Sequence, residues 1–143
     1  MGGAETLSDE HREIRALLDR LNAYLAGSDS PDPVPFLHFR RDFGRAVTLY
    51  LKKADWTLYP RLRASNRPEL RAAAMRLCDE IGSLEEAFGA YARRWTSARI
   101  EQDWAGYRGE TMAVIRQLDR RMLLEERELC PLLEQGGPLR LAS

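Results

Sequence analysis

Histidine and cysteine, the side chains most used for transition-metal ligation and nucleophilic chemistry, are scarce in this 143-residue chain, with two of each. Cys78 and Cys130 stand far apart with no CxxC pair, which argues against a thiolate-ligated metal and fits a reducing compartment. Charge of either sign is not in excess: 22 basic residues balance 22 acidic ones, so no global field calls for nucleic acid or an anionic membrane. No apolar run approaches the ~20 residues that a spanning helix requires. The opening MGGAETLSDEHRE lacks the basic flank and apolar stretch of a secretory signal. Strand-like alternation is missing throughout. So are a Ser/His/Asp or Cys/His constellation and a phosphate-cradling loop. These absences predict a cytoplasmic protein without nucleic-acid or membrane partners and without enzymatic activity.

What is present is helical periodicity. A chain of this length can bury ~68% of its unfolded surface in one core. The expectation is one domain over 1–143, packed over about 7–135, with flexible termini. A first helix is expected to begin after Ser8, an N-cap followed by Asp9 and Glu10 in the first turn. Ile14, Leu17, Leu18, Leu21 and Leu25 mark its apolar face, which His11 shares. Residues 27–35, rich in Gly, Ser, Asp and Pro, form a loop. A second helix is expected from about 35 to 62, with Phe36, Phe39, Phe43, Val47, Tyr50, Ala54 and Leu58 as its buried stripe and Pro60 near its end. Asn66, with Glu69 three residues on, reads as an N-terminal box for a third helix. That helix carries the cleanest repeat, the rows Leu70, Leu77, Leu84, Tyr91 and Ala74, Ile81, Phe88, Trp95. Gly82 and Gly89 lie beside its seam at a cost in helix stability; they either permit a close approach or are merely tolerated. A fourth helix runs from near Asp103 to a stop at Gly136–Gly137, with the seam Trp104, Tyr107, Thr111, Val114, Leu118, Arg121, Glu125. The fold expected is an all-α, antiparallel, up-down-up-down four-helix bundle.

In that bundle the second and fourth helices finish where the third begins. At 1.5 Å per residue, Tyr50, Ile81 and Arg121 lie roughly 18–20 Å from this shared end, and His11 can join their layer. A basic corner (Lys52, Lys53, Arg61, Arg63, Arg67, Arg71) is expected to meet the acidic end of the fourth helix (Glu125, Glu126, Glu128, Glu134) as a solvated surface. His38, near the start of the second helix, belongs to the surface or rim.

Two segments now become specific. Leu51-Lys-Lys-Ala-Asp-Trp-Thr-Leu-Tyr-Pro60 follows Tyr50, and Arg121-Met-Leu-Leu-Glu-Glu-Arg-Glu-Leu-Cys-Pro131 begins with Arg121, so each seam residue is followed by a proline ten positions on. With Glu10-His11 and Glu80-Ile81, these segments resemble the hemerythrin-like, or HHE, domain family over roughly residues 7–135. The resemblance implies a hemerythrin-like bundle with a di-iron site built largely from histidines. In the family's second helix a His precedes a Glu by four residues and a Pro by ten. Here Tyr50 holds the His position and Ala54 the Glu position, with Pro60 retained. In the fourth helix Arg121 holds the His position, Glu125 keeps the carboxylate with Glu126 beside it, and Pro131 is retained. Glu10-His11 matches the family's Glu-His pair, Ile81 replaces the third helix's His, and Glu85 stands where some members have another.

The ligand set does not survive. Arginine stays protonated and cannot ligate a metal. A dication ~5 Å from it would be opposed by about 6–7 kcal/mol at an effective dielectric near 20, as an upper guide. Of the positions that the resemblance assigns to iron, His11 and Glu125 remain, with Glu85 and Asp55 as substitutes; the expectation is instead that Arg121 takes the metal's electrostatic place, in a polar core site of His11, Tyr50, Glu85, Arg121 and Glu125. No cofactor is then expected. The protein would act as a non-catalytic module that binds a protein partner, a second copy or a small ligand. The alternative is a metal-binding or oxygen- and redox-responsive protein, with iron or another divalent cation on His11, Glu85 and Glu125.

Overall fold

The structure, a computed structural model, describes residues 3–135. Its elements are α1 (Gly3–Leu25), α2 (Pro33–Lys53), a π-helical turn (Ala54–Leu58), α3 (Tyr59–Arg63), α4 (Pro68–Ile81), α5 (Leu84–Arg94), α6 (Ser97–Gln102), α7 (Trp104–Glu128) and α8 (Cys130–Gln135). Among these residues there is no β-strand, and no helix is long and apolar enough to cross a membrane. The elements stack into four columns, α1, α2–π–α3, α4–α5 and α7–α8. α1 packs on α2, α7 and α8, α2 on α5, and α4 on α7 and α8. The fold is the expected all-α four-helix bundle.

Element boundaries depart from expectation where tertiary burial overrides local propensity. α1 begins at Gly3, not after Ser8, because Ala4 and Leu7 are buried and extend the apolar stripe by one turn. α2 starts two residues early. Asp32 caps it by accepting from the Val34 N–H at 3.4 Å, with Pro33 in the first turn, where a missing N–H costs nothing. Asn66 does not cap α4: Arg67 holds that position without a capping bond, and Glu69 instead accepts from Arg67 Nε at 3.0 Å. α6 was not expected. Thr96 caps it through the Arg99 N–H at 3.2 Å, and Ile100 anchors it. Asp103 does open α7, accepting from the Gly106 N–H at 2.9 Å. The column breaks again at Leu129 before α8. The Gly136–Gly137 stop lies outside the described residues.

Two irregularities position the site. After Lys53 the backbone widens into a π turn, and the Tyr59 N–H bonds back to Ala54 O, five residues earlier. One extra residue enters the turn, so the buried position passes from Leu58, which is half-buried, to Tyr59. The third helix is also not continuous. Gly82 adopts φ 60°, ψ −149°, a conformation that essentially only glycine tolerates, and separates α4 from α5. A Cβ on Gly82 would meet nothing within 4 Å, so backbone conformation and not close packing explains this glycine.

The core divides lengthwise. At one end Phe36, Phe39, Phe43, Phe88, Tyr91 and Tyr107 form an aromatic cluster with ring centroids 4.8–6.4 Å apart where they and Tyr24 meet. At the other end the buried side chains become polar and charged. The basic corner does not face the acidic end as a block. Lys53 pairs with Glu10 at 3.4 Å, Arg67 with Glu69, and Arg71 donates to Ser65 O at 2.7 Å. The acidic end is met by His11, Arg15 and Arg76 instead.

Candidate functional site

Five polar side chains in the layer are at most 2% exposed: His11 from α1, Tyr50 from α2, Tyr59 from α3, and Arg121 and Glu125 from α7. Glu125, with no exposed surface, is their hub. Its Oε1 accepts from His11 Nε2 at 2.9 Å and from the Tyr50 hydroxyl. Its Oε2 accepts from the Tyr59 hydroxyl at 2.8 Å and, more weakly, from Arg121 Nε at 3.4 Å. Arg121 Nη2 donates to Asp55 on the π turn at 2.7 Å. The guanidinium carbon lies 5.4 Å from the Tyr50 ring centre and 5.7 Å from that of Tyr59, within cation–π range. Beyond the hub, His11 Nδ1 meets Glu126 Oε2 at 2.7 Å, and Arg15 donates to the same carboxylate through both Nη atoms.

Electrostatics follow from this wiring. Burial alone would push the Glu125 carboxyl up. The bond from His11, the Arg121 charge and the Tyr50 hydroxyl outweigh it and hold the carboxyl below its usual range. Glu126 is likewise held low, burial being overcome by its bonds from Arg15 and His11. Burial, then the adjacent Glu125 charge, pushes both Tyr50 and Tyr59 far up, so they serve as neutral donors. Burial opposes the Arg121 charge, yet Glu125 and Asp55 more than compensate and keep it protonated. Glu10 goes the other way: burial raises it despite Lys53.

His11, Tyr50, Arg121 and Glu125, singled out from the sequence, meet in this network. Glu85 does not join them. The break at Gly82 resets the chain before α5, and Glu85 Oε2 accepts from Trp56 Nε1 at 3.1 Å near the surface. Asp55 serves Arg121 in its place. Ile81, at the family's third-helix His position, is half-buried, and His38 is exposed. Sequence reasoning missed Tyr59, Arg15 and the second carboxylate on His11. The i, i+4 spacing of His11 and Arg15 on one face was a usable signal for a shared partner. Tyr59 had none, because helical counting favours Leu58.

The residues present do not make a di-iron ligand set. Both His11 nitrogens face carboxylate oxygens, at 2.9 Å and 2.7 Å, so neither points into a space where a metal could sit. The alternative trio of His11, Glu85 and Glu125 does not converge. Among the described residues no group of three or more His, Cys, Asp or Glu side chains is arranged to hold a metal ion.

A bundle that gathers inward-facing polar side chains from several helices at one level is of the class that houses its site in the core between helices. The family model described as the hemerythrin HHE cation binding domain matches residues 2–133, and the chain belongs to that family. No curated protein and no solved structure gives a significant match.

Proposed function

We propose that this chain is a hemerythrin-family bundle in which the Arg121 guanidinium occupies the electrostatic place of the metal, and that it acts as a non-catalytic binding module and not as a di-iron oxygen carrier. One observation carries the reading: Glu125, fully buried, is saturated by four donors, and one of them is a cation that cannot leave the chain. The wider network is paired as well: Arg15 meets Glu126, and Arg121 meets Asp55 and Glu125. A saturated carboxylate and two phenols pushed far up offer neither a free general base nor a nucleophile, which supports the non-catalytic part. Cys78 and Cys130 are free thiols, which suits a reducing, cytoplasmic setting.

For the bound species, a protein partner or a second copy has the support of exposed Leu49, Trp56, Met75 and Leu123. A small ligand has the support of a cleft that reaches Arg121. The test is elemental analysis and near-ultraviolet and visible absorption of tag-free protein expressed with added iron. The expected result is metal far below one per chain and no oxo-bridge band. Stoichiometric iron, lost in His11→Ala, would overturn the proposal.

A further inference from the structure

Met112, Arg116, Leu123 and Arg127 recur along α7 at intervals of four, seven and four residues, which sets them on one stripe of the helix. All four are exposed, Met112 at 42% and Leu123 at 52%. Around Leu123 the surface is concave. A groove of about 370 Å³ is lined by Leu123 and Leu124 and rimmed by Arg116, Asp119, Arg120 and Arg127. A leucine exposed singly is ordinary. One that lines a groove between guanidiniums, in line with a second exposed apolar side chain, has the pattern of an interaction surface.

Charge decides the partner. Arg120 is committed to Glu80 of α4, donating to its carbonyl at 3.2 Å and its carboxylate at 3.3 Å. Asp119 has Arg15 and Asp19 of α1 as its charged neighbours. Glu126 is taken by His11 and Arg15, and Glu128 by Arg76. Arg116 and Arg127 form no ion pair among the described residues, although both stand at the groove. In a chain of zero net charge this is a local excess of cations, and it calls for carboxylates from outside. Shape decides the form. Met112 and Leu123 lie ~16 Å apart along the axis, about three helical turns, so a second helix laid on α7 reaches both with side chains eleven positions apart. A flat bilayer does not fill a groove. A two-fold contact between copies would set one basic stripe against another.

We propose that the solvent face of α7 docks an acidic amphipathic helix of a partner protein, with an apolar side chain entering the groove at Leu123 and carboxylates meeting Arg116 and Arg127. This rests on the reading of the chain as a binding module, and it names the chemistry of the partner.

The probe is a fluorescently labelled synthetic helical peptide with leucines at i, i+4, i+7 and i+11 and glutamates flanking them, titrated with the full chain by anisotropy. A second peptide carries lysine in place of each glutamate. The acidic peptide is expected to bind at least about tenfold more tightly than the basic one, and more weakly as salt is raised. Leu123→Ser should weaken it about tenfold and the double variant Arg116→Gln/Arg127→Gln severalfold. Arg45→Gln, at an exposed position of α2, should leave it unchanged. All these side chains are exposed, so the melting temperature should hold throughout. Equal binding of the two peptides, unchanged affinity in Leu123→Ser or in the double variant, or no binding of the acidic peptide would each overturn the proposal. So would recruitment to vesicles of anionic phospholipid, or a concentration-dependent dimer in sedimentation, that Leu123→Ser abolishes, because the face would then belong to a bilayer or to a second copy. Metal analysis is run on the same sample. Iron there would sink the reading of Arg121 as the metal's replacement, whereas a metal-free sample that ignores the peptide sinks only the docking face.

Discussion

Among single residues, Arg121 and Glu125 carry the greatest energetic consequence, because each neutralises the other away from water. Arg121→Met keeps the volume but strands the Glu125 charge, and should cost about 3–5 kcal/mol, against less than about 0.5 kcal/mol for exposed Arg127→Ala. Urea unfolding of the two variants checks this; coincident curves would mean that the guanidinium contributes no more than a surface arginine. The carboxylates set the pH response. Glu125 and Glu126 titrate lower in the folded chain than in the unfolded one, so their stabilisation is complete above the unfolded carboxylate value of about 4.3 and is lost as pH falls through the folded values. Glu10 and Asp119, raised by burial, act with the opposite sign and soften that loss. Stability should fall on acidification below about pH 4.3, with a shallower acid limb in Glu125→Gln. Parallel limbs would contradict this. These residues were legible in the sequence where helical counting holds unbroken, through α1, α2 and α7. Asp55 at Arg121 and Tyr59 at Glu125 were harder to foresee because they lie in or just beyond the π turn. Glu85 was misassigned because it comes after the Gly82 break.

At the level of elements, two departures from regular helix do the positioning. The π turn delivers Asp55 to Arg121 and Tyr59 to Glu125 from one stretch of chain. Deleting exposed Thr57 removes the extra residue, lets the turn relax to α-helix and leaves Tyr59 at the buried position that regular counting gives to residue 58. The Tyr59 bond to Glu125 is then kept, and the chain gains regular hydrogen bonds. The deletion variant is therefore expected to melt no lower than the parent by circular dichroism; a clear drop would show that the widened turn itself holds Asp55 on Arg121. Gly82→Ala forces an L side chain into a glycine-only conformation and should destabilise by roughly 1–3 kcal/mol, although the added methyl has open space. An unchanged denaturation midpoint would show that the break can reseat itself. The break was hidden from the sequence for a physical reason. Leu77 and Leu84, and Ala74 and Phe88, are buried on both sides of it, so the seven-residue rows run through as if the helix were whole. α6 was hidden for the opposite reason, being too short at Ser97–Gln102 to show a period.

Across the whole molecule, the four columns were readable because apolar periodicity dominates each of them, while the charge map was not. The antiparallel arrangement suggested that a basic corner meets an acidic helix end. The structure disperses the pairs instead: Arg15 to Glu126, Lys53 to Glu10, Arg76 to Glu128 and Arg94 to Glu110 each tie neighbouring elements at the surface. Such exposed pairs contribute little individually, about 0–1 kcal/mol, so the fold leans on its aromatic end and its buried ionic end. The covalent attachment of the core cation has a further consequence. A cation drawn from solution stabilises a protein by an amount that rises with its free concentration, so the fold answers to supply. The cation at residue 121 is present once in every copy as it leaves the ribosome, with no binding equilibrium to satisfy. The melting temperature should therefore be the same in excess chelator as in excess iron, a comparison one calorimeter run per condition can make. On this account the bundle is insulated by its own sequence from the metal status of its surroundings.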